Sequence, residues 1–182
     1  MTTRQTDEAL ISAFASGRRA ALGTLAERYE RPLLGLALAM LGDRELACDV
    51  VQETWLRVIR HAGGFDGRSR FKTWLYRIVI NQCRSALAAR QPGSAAALAD
   101  QWSDQGRGPA EKTQRDEHFE HVRAAVARLD ADKRAVVLLC YHNQFKHPEA
   151  AEVLGIPLGT LKSRLHAALV ELREQLGTES KP

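Results

Sequence analysis

The sequence predicts an all-α protein: two small helical domains joined by a flexible linker, with a helix-turn-helix in the second. Three observations predict it. Of 182 residues 45% are hydrophobic but only 6% aromatic, and Ala and Leu rather than β-branched residues dominate the apolar set, which favours helices. Apolar residues recur at helical spacing, and no run alternates with period two. Residues 91–112, QPGSAAALADQWSDQGRGPAEK, hold Pro92, Gly93, Gly106, Gly108 and Pro109 without a sustained apolar period, the composition of a tether. The domains are therefore placed at 1–90 and 113–182, with 91–112 as linker and Trp102 as a contact residue within it.

Taken in order, Thr6 before Asp7 and Glu8 marks a helix start, with acids complementing the dipole. A helix over about 20–41 carries Leu22, Leu25, Tyr29, Leu33, Leu36 and Met40 on one face, and Gly42-Asp43 ends it. A third, over about 45–61, turns Ala47, Val50, Val51, Thr54, Trp55, Val58 and Ile59 inward, leaving Asp49, Gln52, Glu53 and Leu56 outside the stripe. Gly63-Gly64 breaks it. After a loop through Ser69, a fourth helix runs from Phe71 to about Ala89, with Arg77, Asn81 and Arg84 on the face away from Leu75, Ile78 and Val79. In the second half, helices are expected over 115–129, 131–141, 148–154 and 158–176.

The last two segments read EAAEVLGIPLGTLKSRL (149–165), the grammar of a helix-turn-helix with Gly155 at the turn. Leu158, Leu161, Leu165, Ala168, Leu172 and Leu176 form an apolar stripe on the second helix. Thr160, Ser163, His166 and Ala167 then point outward, with Lys162 and Arg164 beside them. Short polar and basic groups near a helix N-terminus suit a major groove. Position 146, where a capping box would place Ser or Thr opposite Glu149, holds Lys146, so the start of the first helix is expected to be less well fixed.

The net charge is only +4, but it is unevenly spread. Between positions 57 and 90 stand Arg57, Arg60, Arg68, Arg70, Lys72, Arg77, Arg84 and Arg90 against a single acid, Asp66, a footprint for a polyanion. The three cysteines, Cys48, Cys83 and Cys140, are odd in number and far apart, so no disulfide framework is expected and a reducing compartment fits. The polar N-terminus does not read as a signal peptide, and no apolar run approaches the ~18 residues of a membrane helix. A cytoplasmic protein without membrane insertion, cofactor or metal is expected.

Two stretches resemble the extracytoplasmic-function (ECF) group of bacterial sigma factors, in the sigma-70 family. One is GDRELACDVVQETWLRVIRH followed by FDGRSRFKTWLYRIVINQCRS. The other is LDADKRAVVLLCYHNQFKHPEAAEVLGIPLGTLKSRLHAALVELREQL. The resemblance implies a non-catalytic initiation subunit whose partners are core RNA polymerase, promoter DNA and an anti-sigma factor. It places Asp49, Gln52, Glu53 and Leu56 against the polymerase. It places Phe65 to Ser69 in a loop that captures a flipped base of the −10 element, with Lys72, Trp74, Tyr76, Arg77, Asn81 and Arg84 on the helix after it. It assigns the −35 element to Thr160, Lys162, Ser163, Arg164 and His166, and a flap of the polymerase to the same domain. Ala167 and Leu169 stand where the family often has further arginines, which implies weaker −35 contacts. The chain ends soon after Leu176, as expected of the minimal two-domain form.

Other classes fit less of the chain. An ordinary helix-turn-helix repressor leaves the basic block and its aromatic helix without work. A metal or redox sensor would draw on His118, His121, Cys140, His142 and His147, which lack a Cys-x-x-Cys spacing. An enzyme finds the least support, as no nucleophile elbow, phosphate-cradling glycine loop or HExxH pattern occurs.

Overall fold

The computed structural model describes residues 5–89 and 114–178, with side chains from residue 120 to 177 in the second stretch. All of the expected linker, Trp102 included, and His118's side chain lie outside them. Among the described residues all regular structure is helical: α1 (Asp7–Ala15), α2 (Ala20–Leu41), α3 (Arg44–His61), α4 (Phe71–Ala89), α5 (Gln114–Arg128), α6 (Ala131–Val137), α7 (His147–Leu154) and α8 (Leu158–Thr178). A short 3₁₀ turn (Ala62–Gly64) follows α3, and a π-turn (Leu138–His142) continues α6.

The caps explain the boundaries. Thr6 accepts a hydrogen bond from the Ala9 N–H and Asp43 from the Leu46 N–H, starting α1 and α3. Asp130 does the same for α6 through the Lys133 N–H. Gly42 and Gly155 end α2 and α7 with φ of 66° each, a left-handed conformation that a Cβ would strain. The start of α7 is half of a capping box: the Glu149 carboxylate accepts the Lys146 N–H at 3.1 Å. An ammonium has no lone pair with which to accept in return. Glu149 therefore fixes a helix start that the sequence left loose. The helix of α4 begins differently, its Phe71 N–H donating to Glu8 of α1 at 3.0 Å.

In the first domain α1 to α4 pack around Ile11, Leu25, Leu33, Leu36, Met40, Val58, Phe71, Leu75 and Ile80, all essentially inaccessible. In the second, α5 to α8 enclose Leu129, Val136, Leu139, Ala150, Leu161 and Ala168. Two expected core positions are not core. Ile59 is 45% exposed and Leu158 38% exposed; Val58 takes the inward place on α3, and Leu158 opens α8 before the helix meets its neighbours. The two domains touch. α4 lies along α7, and α2 meets α5 and α6.

Arg134, on α6, sits in that junction and is 4% exposed. Its guanidinium donates to the carbonyls of Ala127 and of Leu129 (2.9 Å), around the end of α5, and to that of Met40 (2.5 Å), in the last turn of α2. Terminal helix carbonyls lack intrahelical partners and carry the negative end of the dipole. One cation thus caps a helix from each domain. Burial pulls its pKa down, partly countered by Asp130.

The cysteines differ in access. Cys48 is exposed, Cys140 half-buried and Cys83 buried, and burial pushes the Cys83 thiol up to about 12. Because the thiolate is the reacting species, an excess of a disulfide reagent at neutral pH is expected to modify Cys48 promptly and Cys83 only after denaturation. A prompt reaction at Cys83 in the native protein would contradict the packing of α4.

Candidate nucleic-acid and polymerase interface

On α3, Asp49 and Gln52 are exposed and Leu56 is 43% exposed. Glu53 is partly covered because it accepts from Arg57 at 3.2 Å and from Arg60 at 3.0 and 3.1 Å. With Ile59, one turn on from Leu56, the face combines two unpacked aliphatic side chains with unpaired polar ones at Asp49 and Gln52. The sequence reading missed Ile59, although its i, i+3 spacing from Leu56 was a usable signal.

The loop after α3 is held by aromatic packing. Phe65 meets Phe71 (6.2 Å between centroids) and Trp74 (5.4 Å), and Tyr29 meets Phe71 (5.8 Å). Phe65 and Trp74 are accordingly half-buried props of this cluster rather than open platforms. Tyr29 in turn donates to Asp7 at 2.5 Å, and Arg28 pairs with the same carboxylate at 2.6 Å. Burial, then Asp7, raise the Tyr29 pKa, which keeps the phenol protonated. Asp66 accepts from the Arg68 N–H at 3.1 Å across Gly67, whose φ is 71°, a local turn of the Asx kind. Ser69 lies at its end, partly exposed.

The basic side chains of α4 are not free. Lys72 lies 4.2 Å from the Phe145 ring centroid and 3.4 Å from the Asn143 carbonyl. Tyr76 is buried, edge-on to Phe145 at 4.8 Å, and its hydroxyl accepts from the Asn143 amide at 3.1 Å. Arg77 donates to the Glu152 carbonyl at 2.5 Å, and Arg84 pairs with Asp132 at 2.8 Å. Asn81 remains exposed. A cleft of about 1160 Å³ opens between the domains, with Ser69, Arg70 and Lys72 on one wall and Asn143, Phe145 and Glu149 on the other.

On α8, Lys162, Ser163, His166 and Ala167 are exposed. Thr160 is partly covered, and its carbonyl accepts the Ser163 hydroxyl at 3.0 Å. Arg164 is turned aside to Asp132, at 2.9 Å. The outward face of the helix therefore offers fewer free cations than its sequence suggests. Asp132, Asn143 and Phe145, which organise these contacts, were not singled out by sequence reasoning, because periodicity reports which face a helix buries and not which domain it meets. Among the described residues no three His, Cys, Asp or Glu side chains group as metal ligands, and no helix is long and apolar enough to cross a membrane.

Comparison with known proteins agrees with this architecture. Sigma-70 region 2 matches residues 25–92 and sigma-70 region 4 matches residues 119–172. The RNA polymerase sigma-H factor of Pseudomonas aeruginosa is 31% identical, over 92% of each chain. The ECF RNA polymerase sigma factor SigM of Mycobacterium tuberculosis is also 31% identical, over 95% of this chain and 86% of its own. Among solved structures, CnrH in complex with the cytosolic domain of CnrY is 26% identical and superimposes with a TM-score of 0.74, covering 97% of this chain and all of that one. The chain belongs to the ECF group of the sigma-70 family, and it is a promoter-recognising sigma factor of RNA polymerase.

Proposed function

We propose that the chain divides initiation between two domains, 1–90 and 113–182, joined by residues 91–112. Asp49, Gln52, Glu53 and Leu56 bind core polymerase. Phe65, Ser69, Lys72, Trp74, Tyr76, Arg77, Asn81 and Arg84 build the −10 surface, with Phe65, Trp74 and Tyr76 shaping it and the polar side chains touching the strand. Thr160, Lys162, Ser163, Arg164 and His166 read the −35 element. The protein is non-catalytic, works in the cytoplasm, and takes an anti-sigma partner, as CnrH does with CnrY.

The observation that carries this reading is the outward face of α3, where Asp49, Gln52, Leu56 and Ile59 stay uncovered although the domains pack closely elsewhere. A free-standing repressor has no use for such a surface, whereas a polymerase subunit does. Run-off transcription with purified core enzyme tests it. Transcripts from a selected promoter should require both proteins. Duplex binding and repression by this chain alone, with no transcripts, would replace the reading with that of an ordinary repressor.

The sparse cations of α8 lead to a quantitative expectation. Ala167 is exposed beside His166, so Ala167→Arg in the holoenzyme should tighten promoter binding. It should also steepen the log–log salt dependence by about 0.9, as one added phosphate contact requires. An unchanged slope in a salt titration would remove this face from the DNA surface.

A further inference from the structure

We infer that Glu8 is a positioning residue for the −10 loop: from the first turn of α1 its carboxylate caps α4 and holds residues 65–70 in the shape that receives an unstacked base. This role rests on the assignment of Phe65 to Ser69 to the −10 strand proposed above. By its place in the sequence Glu8 serves the dipole of its own helix. The fold gives it a second helix to serve.

α4 starts at Phe71, and its first helical bond runs from the Trp74 N–H to the Arg70 carbonyl at 3.0 Å. The Phe71 N–H therefore has no acceptor within α4. Phe71 is fully buried, where a backbone donor left without a partner is costly. Oε1 of Glu8 accepts it at 3.0 Å, from 63 residues away along the chain. One carboxylate thus stands at the N-terminal ends of two helices, α1 and α4, and each end favours an anion.

The loop has few other fastenings. At its start the Phe65 N–H donates to the Ala62 carbonyl at 3.2 Å, and Asp66 closes a turn with Arg68 inside it. Asp66, Gly67, Arg68 and Arg70 are exposed, so core packing does not set their path. Arg70 reaches Glu149 at 3.5 Å, but its side chain stays 79% exposed, and so open an ion pair contributes little. α1 meets both ends of the loop, lying against the Ala62–Gly64 turn as well as α4. Asp7, beside Glu8, acts on the same residue: it accepts from the Tyr29 hydroxyl, and the Tyr29 ring stands edge-on to Phe71. Phe65 and Trp74 lean on that Phe71 ring in turn. The first turn of α1 therefore holds Phe71 by its backbone and, through Tyr29, by its ring. A loop already in its binding shape carries no ordering cost when a strand arrives. Where the shape is only partly populated, affinity falls in proportion.

Two substitutions in the full chain separate the cap from the charge. Glu8→Ala removes both, whereas Glu8→Gln removes the charge and keeps an oxygen that accepts the Phe71 N–H. Glu8 is exposed and alanine is the better helix former, so both variants should fold with little change in melting temperature. Three quantities are read. They are amide hydrogen exchange over 65–74, affinity for core enzyme, and affinity of the holoenzyme for single-stranded DNA spanning the −10 region of a promoter selected by run-off transcription. Glu8→Ala should speed exchange and weaken strand binding roughly fivefold, the scale of one lost helix cap, with core affinity unchanged. Glu8→Gln should stay within about twofold of wild type, because a neutral hydrogen bond keeps about half the strength of a charged one.

Wild-type exchange in Glu8→Ala overturns this role, as does faster exchange with undiminished strand binding. A fall in core affinity that matches the fall in strand binding would reduce Glu8 to a folding residue. Equal behaviour of the two variants would assign the effect to charge rather than to the cap. If the wild-type holoenzyme itself ignores the strand, the −10 assignment falls and the positioning role with it, while exchange still judges whether Glu8 holds the loop.

Discussion

Replacing Asp49 and Gln52 together with alanine is expected to weaken binding to core RNA polymerase by about thirtyfold or more, the effect of losing one centre of binding energy worth ~2 kcal/mol. Both side chains project from α3 without covering any core residue, and neither is used in an intramolecular contact that the fold needs. The helix should survive, since alanine has the higher helix propensity at both places. Titration of labelled protein with core enzyme measures the loss, and circular dichroism measures the melting temperature, which should move little. Wild-type affinity in the double variant would take the polymerase face away from α3. Loss of affinity with a matching loss of stability would make it a folding effect instead.

The second large effect concerns stability. Arg134→Met removes the donor shared by the carbonyls of Met40, Ala127 and Leu129 while keeping most of the buried apolar stem. Leaving buried acceptors unsatisfied costs about 1–3 kcal/mol each. With partial relaxation we expect a net loss of about 3 kcal/mol, or roughly 6–12 °C in melting temperature. Arg134→Lys should recover less than half, because an ammonium is a compact charge that cannot span three acceptors as the guanidinium fork does. Urea unfolding of the three proteins decides it. Equal midpoints for wild type and Arg134→Met would mean that water replaces the guanidinium at no cost.

These two residues also mark what was legible in the sequence. Asp49 could be placed on an outward face because α3 is long and its apolar stripe is regular, so the remaining positions follow from 3.6-residue geometry. The cap at Thr6 was readable for a similar reason, because it acts within three residues along the chain; Asp43, taken with Gly42 as the end of α2, caps α3 in the same way. Arg134 was not readable, since its Met40 partner lies in the other domain and no local pattern distinguishes an arginine that caps remote carbonyls from one in solvent. Tyr76 follows the same logic: wheel geometry placed it on its helix, but the neighbour it would meet depended on the docking of α4 against α7. Arg164 meets Asp132 within its own domain, but on a helix about thirty residues away along the chain, which its local pattern does not show either. Leu158 failed for a different reason, because a stripe extrapolated to the first residue of a helix overruns the region where neighbours are present.

The π-turn at Leu138–His142 has a consequence for chain length. Its Asn143 N–H reaches back five residues to Leu138 at 2.9 Å, and Gln144 follows with φ of 53°. Such a turn is an α-helix that carries one residue too many. Losing one residue from it would let α6 continue as ordinary helix, so the fold has somewhere to absorb a deletion that would disrupt α3 or α8. The backbone would mend but its phase would not: everything after the turn would rotate by about 100°. Asn143 and Phe145 would swing off Tyr76, and α7 and α8 would turn against α5 and α6, so the second domain would lose its own core together with its seat on α4. The surplus residue sets the angle at which α7 and α8 meet both α6 and the first domain.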